Sequence, residues 1–261
     1  AMIFAGIVAG GSGMRMKNAD KPKQFLELGG VPILIRTVMA FEKVHDIDRI
    51  YIGINPQWHE YAQGLLEKYG MNNDRIVLLD GGADRNGTIF KILDAITAEY
   101  EISGNDVLLT HDAVRPFVSE KIILDNISAA KEFSVCGTYI PSVDTVIRST
   151  DGCNVKENLI RSELFRAQTP QSFCIKKLCE CIEKLGEEKI ASLTDACGIF
   201  TECGIPIRMV EGDDLNFKIT TDPDLFLAIH CNSAGEDAKG AEAYYFTPFS
   251  QPLADSISKR V

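Results

Sequence analysis

The sequence predicts an α/β fold: a single doubly wound, mostly parallel sheet with a projecting β-arm. Three observations carry this. Short β-type apolar runs alternate with helical patterns through the first half of the chain, which implies βαβ crossovers and helices on both faces of a sheet. The first apolar run stops at Ala9-Gly10-Gly11-Ser12-Gly13, and Arg15, Lys17, Lys21 and Lys23 follow within a few residues. Residues 142–169 alternate instead, show no 3.6-residue period, and contain the hairpin signal Asp151-Gly152.

The elements follow in order. Ile3–Val8 reads as the first strand, and it delivers the chain into the glycine loop. Glycines let backbone N–H groups approach an anion because no Cβ intervenes, so a strand feeding a cationic glycine loop suits a polyphosphate. The plainer reading is a tight turn beside a solvated basic face. Neither usual phosphate motif fits. No lysine directly follows a glycine, as Walker A requires, and the third glycine of a dinucleotide fingerprint would fall at Met16. Ile33–Lys43, Gln57–Tyr69 and Gly87–Tyr100 read as helices, and Arg49–Ile54, Ile76–Leu79 and Val107–Thr110 as strands.

Two further loops at strand ends are chemically loaded. Gly81-Gly82-Ala83-Asp84-Arg85-Asn86-Gly87-Thr88 is a second glycine loop entering a helix. Its backbone and Thr88 can read the edge of a base or sugar, while Asp84 or Asn86 can serve as an ordinary N-cap; both can hold together. His111-Asp112-Ala113-Val114-Arg115-Pro116 follows an apolar strand. An aspartate there is placed to hold Mg2+, which prefers carboxylate and phosphate oxygens. The alternative is an Asp112–Arg115 ion pair at a turn. His111 is left out of the chemistry, since a lone histidine is more often structural.

Beyond these, residues 119–131 read as a helix and 134–140 as a strand ending at Pro141. The 142–169 arm leaves the core and returns near Gln168-Thr169-Pro170. Leu178–Leu185 and Thr194–Cys203 are helical, Pro206–Glu211 and Phe217–Ile219 strand-like, and Pro223–Cys231 begins a last helix. At Asn232 the composition shifts to Ala, Gly, Ser and acids. The expected organisation is one domain over 1–231 and an extension of unknown role over 232–261.

Composition narrows the partners. A chain of 261 residues, 45% hydrophobic and 25% charged, can bury a full core. Net charge −10 argues against nucleic acid or an anionic membrane as the main partner. No apolar run has the length of a bilayer span and no signal sequence is visible, so a cytoplasmic protein is expected. Eight scattered cysteines without a C-x-x-C pair read as reduced core residues.

No Ser-His-Asp set or metal-binding cysteine cluster is evident, which suits phosphoryl or nucleotidyl transfer. A phosphate monoester is already an anionic nucleophile, so the protein must position it and neutralise charge. A Rossmann oxidoreductase, suggested only by Gly11-x-Gly13, predicts an acidic residue ending the second strand, and Ile54-Asn55-Pro56 supplies none. A non-catalytic nucleotide-binding module is the third reading, against which Arg15, Lys23 and Lys218 speak.

A-G-G-S-G-M-R-M, K-P-K-Q-F, G-G-x-x-R-x-x-T, H-D-A-V-R-P, V-D-T-V, A-Q-T-P-Q-S-F, L-T-D-A and N-F-K-I-T-T-D-P-D-L occur in this order. Together they resemble the sugar- and polyol-phosphate cytidylyltransferases, over residues 2 to about 231. The resemblance implies a homodimer and a nucleotidyltransferase using CTP and Mg2+. Arg15 and Lys23 would stabilise the transition state at the CTP α-phosphate. Val8, Ala9, Gly10 and Gly11, with Gly81, Gly82, Ala83, Asp84, Arg85, Asn86, Gly87 and Thr88, would cradle CTP. Arg115 and Thr169 join that set, and Asp112 would hold Mg2+. Thr145 and Arg161 lie on the arm that in this family crosses to the partner subunit, and Arg161 with Lys218 would grip the polyol phosphate.

Between members, the resemblance leans toward D-ribitol 5-phosphate as acceptor, giving CDP-ribitol for teichoic acid or capsule polymers. T-H-D-A-V-R-P-F and A-Q-T-P-Q-S-F look more like the ribitol-phosphate enzymes. The 2-C-methylerythritol 4-phosphate enzymes of isoprenoid synthesis, the alternative, usually carry Asp before Asn-x-Lys, where this chain has Leu215.

Overall fold

The computed structural model describes residues 1–10, 21–193, 195–220, 229–231 and 241–243. Strand β1 (Ile3–Ala9) is followed by the small hairpin β2 (Glu27–Leu28) and β3 (Val31–Pro32), helix α1 (Ile33–Glu42) and β4 (Arg49–Ile54). Next come α2 (His59–Lys68), β5 (Ile76–Asp80), α3 (Arg85–Glu99), β6 (Val107–Asp112), α4 (Glu120–Phe133) and β7 (Val135–Pro141). The arm carries β8 (Ile147–Arg148) and β9 (Glu157–Asn158), paired antiparallel around a turn where Gly152 has φ +72°. The chain re-enters through β10 (Phe165–Cys174) and continues as α5 (Ile175–Leu185), α6 (Glu187–Ala191), α7 (Ala196–Glu202) and β11 (Arg208–Glu211). A last pair, β12 (Ile229–Cys231) and β13 (Ala241–Ala243), is antiparallel.

The main sheet has seven strands in the order β11-β7-β10-β6-β1-β4-β5. β1 is parallel to both β4 and β6, so successive crossovers leave it on opposite sides. That reversal is a topological switch point, and the carboxyl ends of β1, β4, β5 and β6 open the crevice where such sheets bind ligands. β10 alone runs against its neighbours β6 and β7.

Strand periodicity sorts the core into two layers. Ile3, Ala5, Ile7 and Ala9 of β1 pack with Leu34, Val38 and Phe41 of α1, Leu65 of α2 and Ile123 of α4. Phe4 points the other way, onto Ile89, Ile92 and Ile96 of α3, Leu178 of α5 and Phe200 of α7. Burying each such Ile, Leu or Phe contributes about 2 kcal/mol. The doubly wound architecture expected from the sequence is therefore observed.

Four expectations shift. Cys174 ends a ten-residue strand that the sequence does not announce, because Gln168, Thr169, Gln171 and Ser172 are polar yet buried. Their burial is supported by partners: Ser172 Oγ donates to Asn126 Oδ1 (3.0 Å) and Gln171 Nε2 to Asp195 Oδ2 (3.0 Å). Phe217–Ile219 is no ladder strand; Ile219 is buried and its N–H donates to the Val114 carbonyl at 2.9 Å. Pro223–Cys231 was expected to open a helix, but Ile229–Cys231 pairs as a strand, and 221–228 lie outside the described residues. The helix expected from Thr194 begins at Ala196, with Asp195 accepting from the Gly198 N–H at 2.8 Å; Thr194 is outside the described residues.

Candidate active site

Backbone loops come first. Asp84 is the N-cap of α3, accepting from the Gly87 N–H at 2.7 Å. Thr88 is fully buried one turn on, where its hydroxyl accepts from the Gly82 N–H (3.0 Å) and donates to the Asp84 carbonyl (2.9 Å). A Cβ on Gly10 would lie 2.6 Å from Thr88 Oγ1, and one on Gly53 2.4 Å from Thr88 Cγ2. A Cβ on Gly82 would strike the Gly87 backbone at 2.4 Å. These glycines are steric requirements: they let the two loops close around Thr88. The Thr88 hydroxyl, one of the groups expected to cradle CTP, thus also organises the loop through these two bonds. Val8 and Ala9 end β1 and Gly10 follows, while Ala83 is exposed. Gly81 donates its N–H to the Ile54 carbonyl at 2.6 Å. Gly11 and Arg15 lie outside the described residues.

Asp112 ends β6 directly opposite Val8. Its Oδ1 accepts from Arg85 Nε at 3.1 Å, and its Oδ2 meets Arg115 Nε at 3.3 Å and Lys218 Nζ at 3.1 Å. Burial would push this carboxyl's pKa up, but Arg85, Lys218 and Arg115 outweigh it and hold it below the ordinary carboxylate range. Three cations on one buried carboxylate leave a local surplus of positive charge, a field suited to a polyphosphate. The turn pair Asp112–Arg115 is real, and it belongs to this larger cluster.

A neutral network backs the cluster. His111 is fully buried; its Nε2 faces the Arg115 carbonyl at 3.0 Å and its Nδ1 the Thr169 hydroxyl at 2.9 Å. The carbonyl only accepts, so Nε2 carries the proton and Thr169 donates to Nδ1. Thr169 Oγ1 in turn accepts from the Asp112 N–H at 3.1 Å. Burial pushes the His111 pKa down to about 4, against the pull of the Arg115 carbonyl, so the ring is neutral at pH 7. Arg115 Nη1 donates to the Asn216 carbonyl at 2.7 Å, which ties the Lys218 segment to the strand end. Asn216 Nδ2 adds bonds to Gln168 Oε1 (3.1 Å) and the Thr169 carbonyl (2.8 Å).

Among the described residues, the buried side-chain polar atoms without a partner are Arg85 Nη1 and Nη2, Asn86 Oδ1, Gln171 Oε1 and Asn216 Oδ1. Arg85 and Asn216 directly join the Asp112 cluster, and Asn86 follows Arg85 in α3. Buried polar atoms are normally paired, so this concentration leaves hydrogen-bonding capacity for a ligand or ordered water.

The donor set also bears on a metal. Asp112 offers hard carboxylate oxygens, yet no group of three Asp, Glu, His or Cys side chains gathers around a point among the described residues. Asp213 Oδ1 is used by the Leu215 N–H (2.8 Å), and Asp214 pairs with Arg166 (3.2 Å). The residues fit a magnesium ion that arrives with phosphate oxygens completing its shell, with one protein carboxylate as anchor.

Not every expected residue joins this cluster. Arg161 lies on the exposed arm, where its Nη1 reaches the Val143 carbonyl at 3.5 Å, and Thr145 is exposed there too. Lys23 opens a 3-10 turn over Lys23–Phe25. Gln24, Gln168, Gln171, Asn216 and His111 do organise the site, and sequence reasoning gave none of them a role. All lie inside or beside the quoted motifs, but amide and imidazole groups carry no charge signal.

The whole frame from β1 onward matches a known family, described as IspD: 2-C-methyl-D-erythritol 4-phosphate cytidylyltransferase, over residues 3–231. The chain belongs to this family. It is therefore a nucleotidyltransferase enzyme of the cytidylyltransferase type. A 4-diphosphocytidyl-2C-methyl-D-erythritol synthase structure from Anaerococcus prevotii is similar, at 31% identity and TM-score 0.71, over 85% of this chain and 92% of that one. The Francisella tularensis 2-C-methyl-D-erythritol 4-phosphate cytidylyltransferase is 28% identical with TM-score 0.71, over 86% and 96%. At 23% identity and TM-score 0.64, the Thermus thermophilus enzyme shares the fold, over 99% of this chain and 100% of that one. These relatives are named for the methylerythritol acceptor, the alternative in the sequence reading, and ribitol phosphate receives no support from them. No helix among the described residues is long and apolar enough to cross a membrane.

Proposed function

We propose that this chain transfers a cytidylyl group from CTP to 2-C-methyl-D-erythritol 4-phosphate and releases pyrophosphate. The observation that carries the reading is Asp112 held by Arg85, Arg115 and Lys218 at the switch point, beside two glycine loops. An acceptor phosphate oxygen attacks the α-phosphorus, the bond to the β-phosphate oxygen breaks, and pyrophosphate leaves. The nucleophile needs no base, which agrees with a His111 that is neutral, buried and fully engaged. Mg2+, when bound, neutralises triphosphate charge, and Asp112 is the residue to hold it. Lys23 and Arg15 act on the charge growing at the α-phosphate. Lys218, released from Asp112, turns to the acceptor phosphate together with Arg161.

The arm supports a homodimer. Val143, Val155, Ile160 and Ile147 are 65%, 61%, 61% and 43% exposed, and apolar side chains in one projecting segment suit cover by a second copy of the chain.

D-ribitol 5-phosphate is the second reading, favoured by Leu215. It is 60% exposed where the methylerythritol enzymes usually carry an acid; Asp213 accepts from its N–H, and Asp214 pairs with Arg166. Pyrophosphate release from CTP with each acceptor, compared by kcat/KM, tests both. Preference for the methylerythritol phosphate supports the first reading, preference for ribitol phosphate the second. No release with either overturns the reaction.

A further inference from the structure

Gln24 has no part in the chemistry proposed above, yet it is 3% exposed beside the end of β1. Its Nε2 donates to the carbonyl of Ala9 at 3.0 Å, the last residue of β1. The partners are fifteen positions apart, and the stretch they enclose contains the glycines and cations of the first loop. We propose that Gln24 is a positioning residue: its amide ties the Lys23–Phe25 turn to the end of β1 and so fixes Lys23 relative to Gly10.

The surroundings are built for such a clasp. Gln24 lies in the middle of the 3-10 turn that begins at Lys23, with Phe25 N–H donating to Pro22 (2.9 Å) and Leu26 N–H to Lys23 (3.1 Å). On the far side of the turn Phe25 is buried against Trp58 and Tyr61, with ring centroids 5.4 and 5.0 Å away. Lys21 Nζ donates to Tyr61 Oη at 2.9 Å and sits over the same ring. The aromatic wedge therefore holds the turn to α2, and the Gln24 amide holds it to β1. Gly10, the next residue after Ala9, packs against Thr88. One chain of contacts thus links Lys23 through Ala9 to the second nucleotide loop. A buried primary amide has to place its hydrogen bonds, and a donor aimed at a strand-end carbonyl fixes orientation as well as distance.

This inference rests on Lys23 acting at the α-phosphate. Gln24→Met keeps the length and removes the donor; Gln24→Glu keeps the shape and leaves only acceptors when ionised. With either variant, kcat for pyrophosphate release should fall about 10–100-fold, as misplacement of a catalytic group by about 1 Å does. KM for CTP should change less than about threefold. In a Lys23→Ala background the same substitutions should change kcat less than about twofold, because nothing remains to be positioned. Additive losses, or an unchanged kcat in the wild-type background, overturn the proposal.

Hydrogen exchange supplies a readout independent of turnover. In Gln24→Met without substrate, the amides of Phe25 and Leu26 should exchange about tenfold faster or more, while Arg49–Ile54 stays unchanged. Unchanged exchange at Phe25 and Leu26 overturns the clasp even if the enzyme proves to use another substrate. Absence of turnover in the wild type, with exchange altered in the variant, instead overturns the reaction and leaves the clasp standing.

Discussion

Strand β6 is bounded by two buried aspartates with opposite kinds of partner. Asp106, just before its amino end, accepts from the backbone N–H groups of Met2 and Ser103, both at 2.7 Å. Asp112, at its carboxyl end, is held by the side chains of Arg85, Arg115 and Lys218. In both, burial raises the carboxyl pKa and the partners more than reverse it. The difference lies in what can let go. Backbone amides are fixed by the sheet and the turn, so Asp106 is a permanent tie between β1 and β6. A lysine on a flexible stem can change partner when a phosphate or a metal arrives. A perturbed carboxyl alone does not mark function; perturbation by exchangeable side chains at a strand's carboxyl end does.

The largest expected effect belongs to a cation outside the Asp112 cluster. Lys23→Ala should lower kcat about 100-fold or more with CTP binding less affected, since its charge acts mainly on the transition state. Steady-state kinetics with a parallel thermal melt check this; a wild-type kcat removes Lys23 from the mechanism. Arg161→Ala should raise KM for the acceptor phosphate about tenfold, through loss of a charge-assisted contact. Mixing it with Lys23→Ala chains sharpens the point. If the arm crosses between subunits, a hybrid dimer has one site with both defects and one with neither, and activity recovers toward half of wild type. Assayed at acceptor concentrations well below KM, a mixture no more active than the average of its parents after proven subunit exchange places Arg161 in its own chain's site.

The two ends of β6 were unequally legible in the sequence. The Asp112 end announced itself because opposite charges and a strand end coincide in H-D-A-V-R-P. Apolar runs likewise announced β1, β4 and β6, because both faces of those strands are buried, and the half-buried edge strand β5. What stayed hidden depended on long-range pairing. Asp106 looks like any turn residue until Met2, 104 positions away, is folded against it. β10 stayed hidden because Gln171 and Ser172 are polar, and only Asp195 and Asn126 make their burial tolerable. Sequence shows Thr88 only as a hydroxyl after a glycine loop; its bonds to Gly82 and Asp84 emerge from the fold.

Asp112→Asn tests the exchangeable carboxylate with a smaller expected effect. A neutral amide is a weaker ligand for a hard cation, so the Mg2+ concentration for half-maximal rate should rise about tenfold. Magnesium titrations at saturating CTP measure it. An unchanged requirement makes Asp112 a structural charge that only gathers Arg85, Arg115 and Lys218, and the contrast with Asp106 then collapses.

The smallest effect should come from Asp106→Asn, and it should appear in stability alone. Asparagine has one acceptor oxygen where the carboxylate has two, so one of the Met2 and Ser103 amides loses its partner at a cost of about 1–3 kcal/mol. The pH dependence has a definite sign. The folded pKa lies below the unfolded value, so the carboxylate's contribution is complete above the ordinary aspartate range and is lost as pH falls through the folded pKa. Urea unfolding at pH 7 should therefore separate wild type from variant by that amount, and the gap should narrow as pH falls below about 4. At temperatures where both are folded, kcat and KM should agree within about twofold, since no partner of Asp106 leaves during turnover. A constant stability gap across that pH range removes the charge from the account, and a kinetic defect in folded Asp106→Asn protein erases the distinction between the two ends of β6.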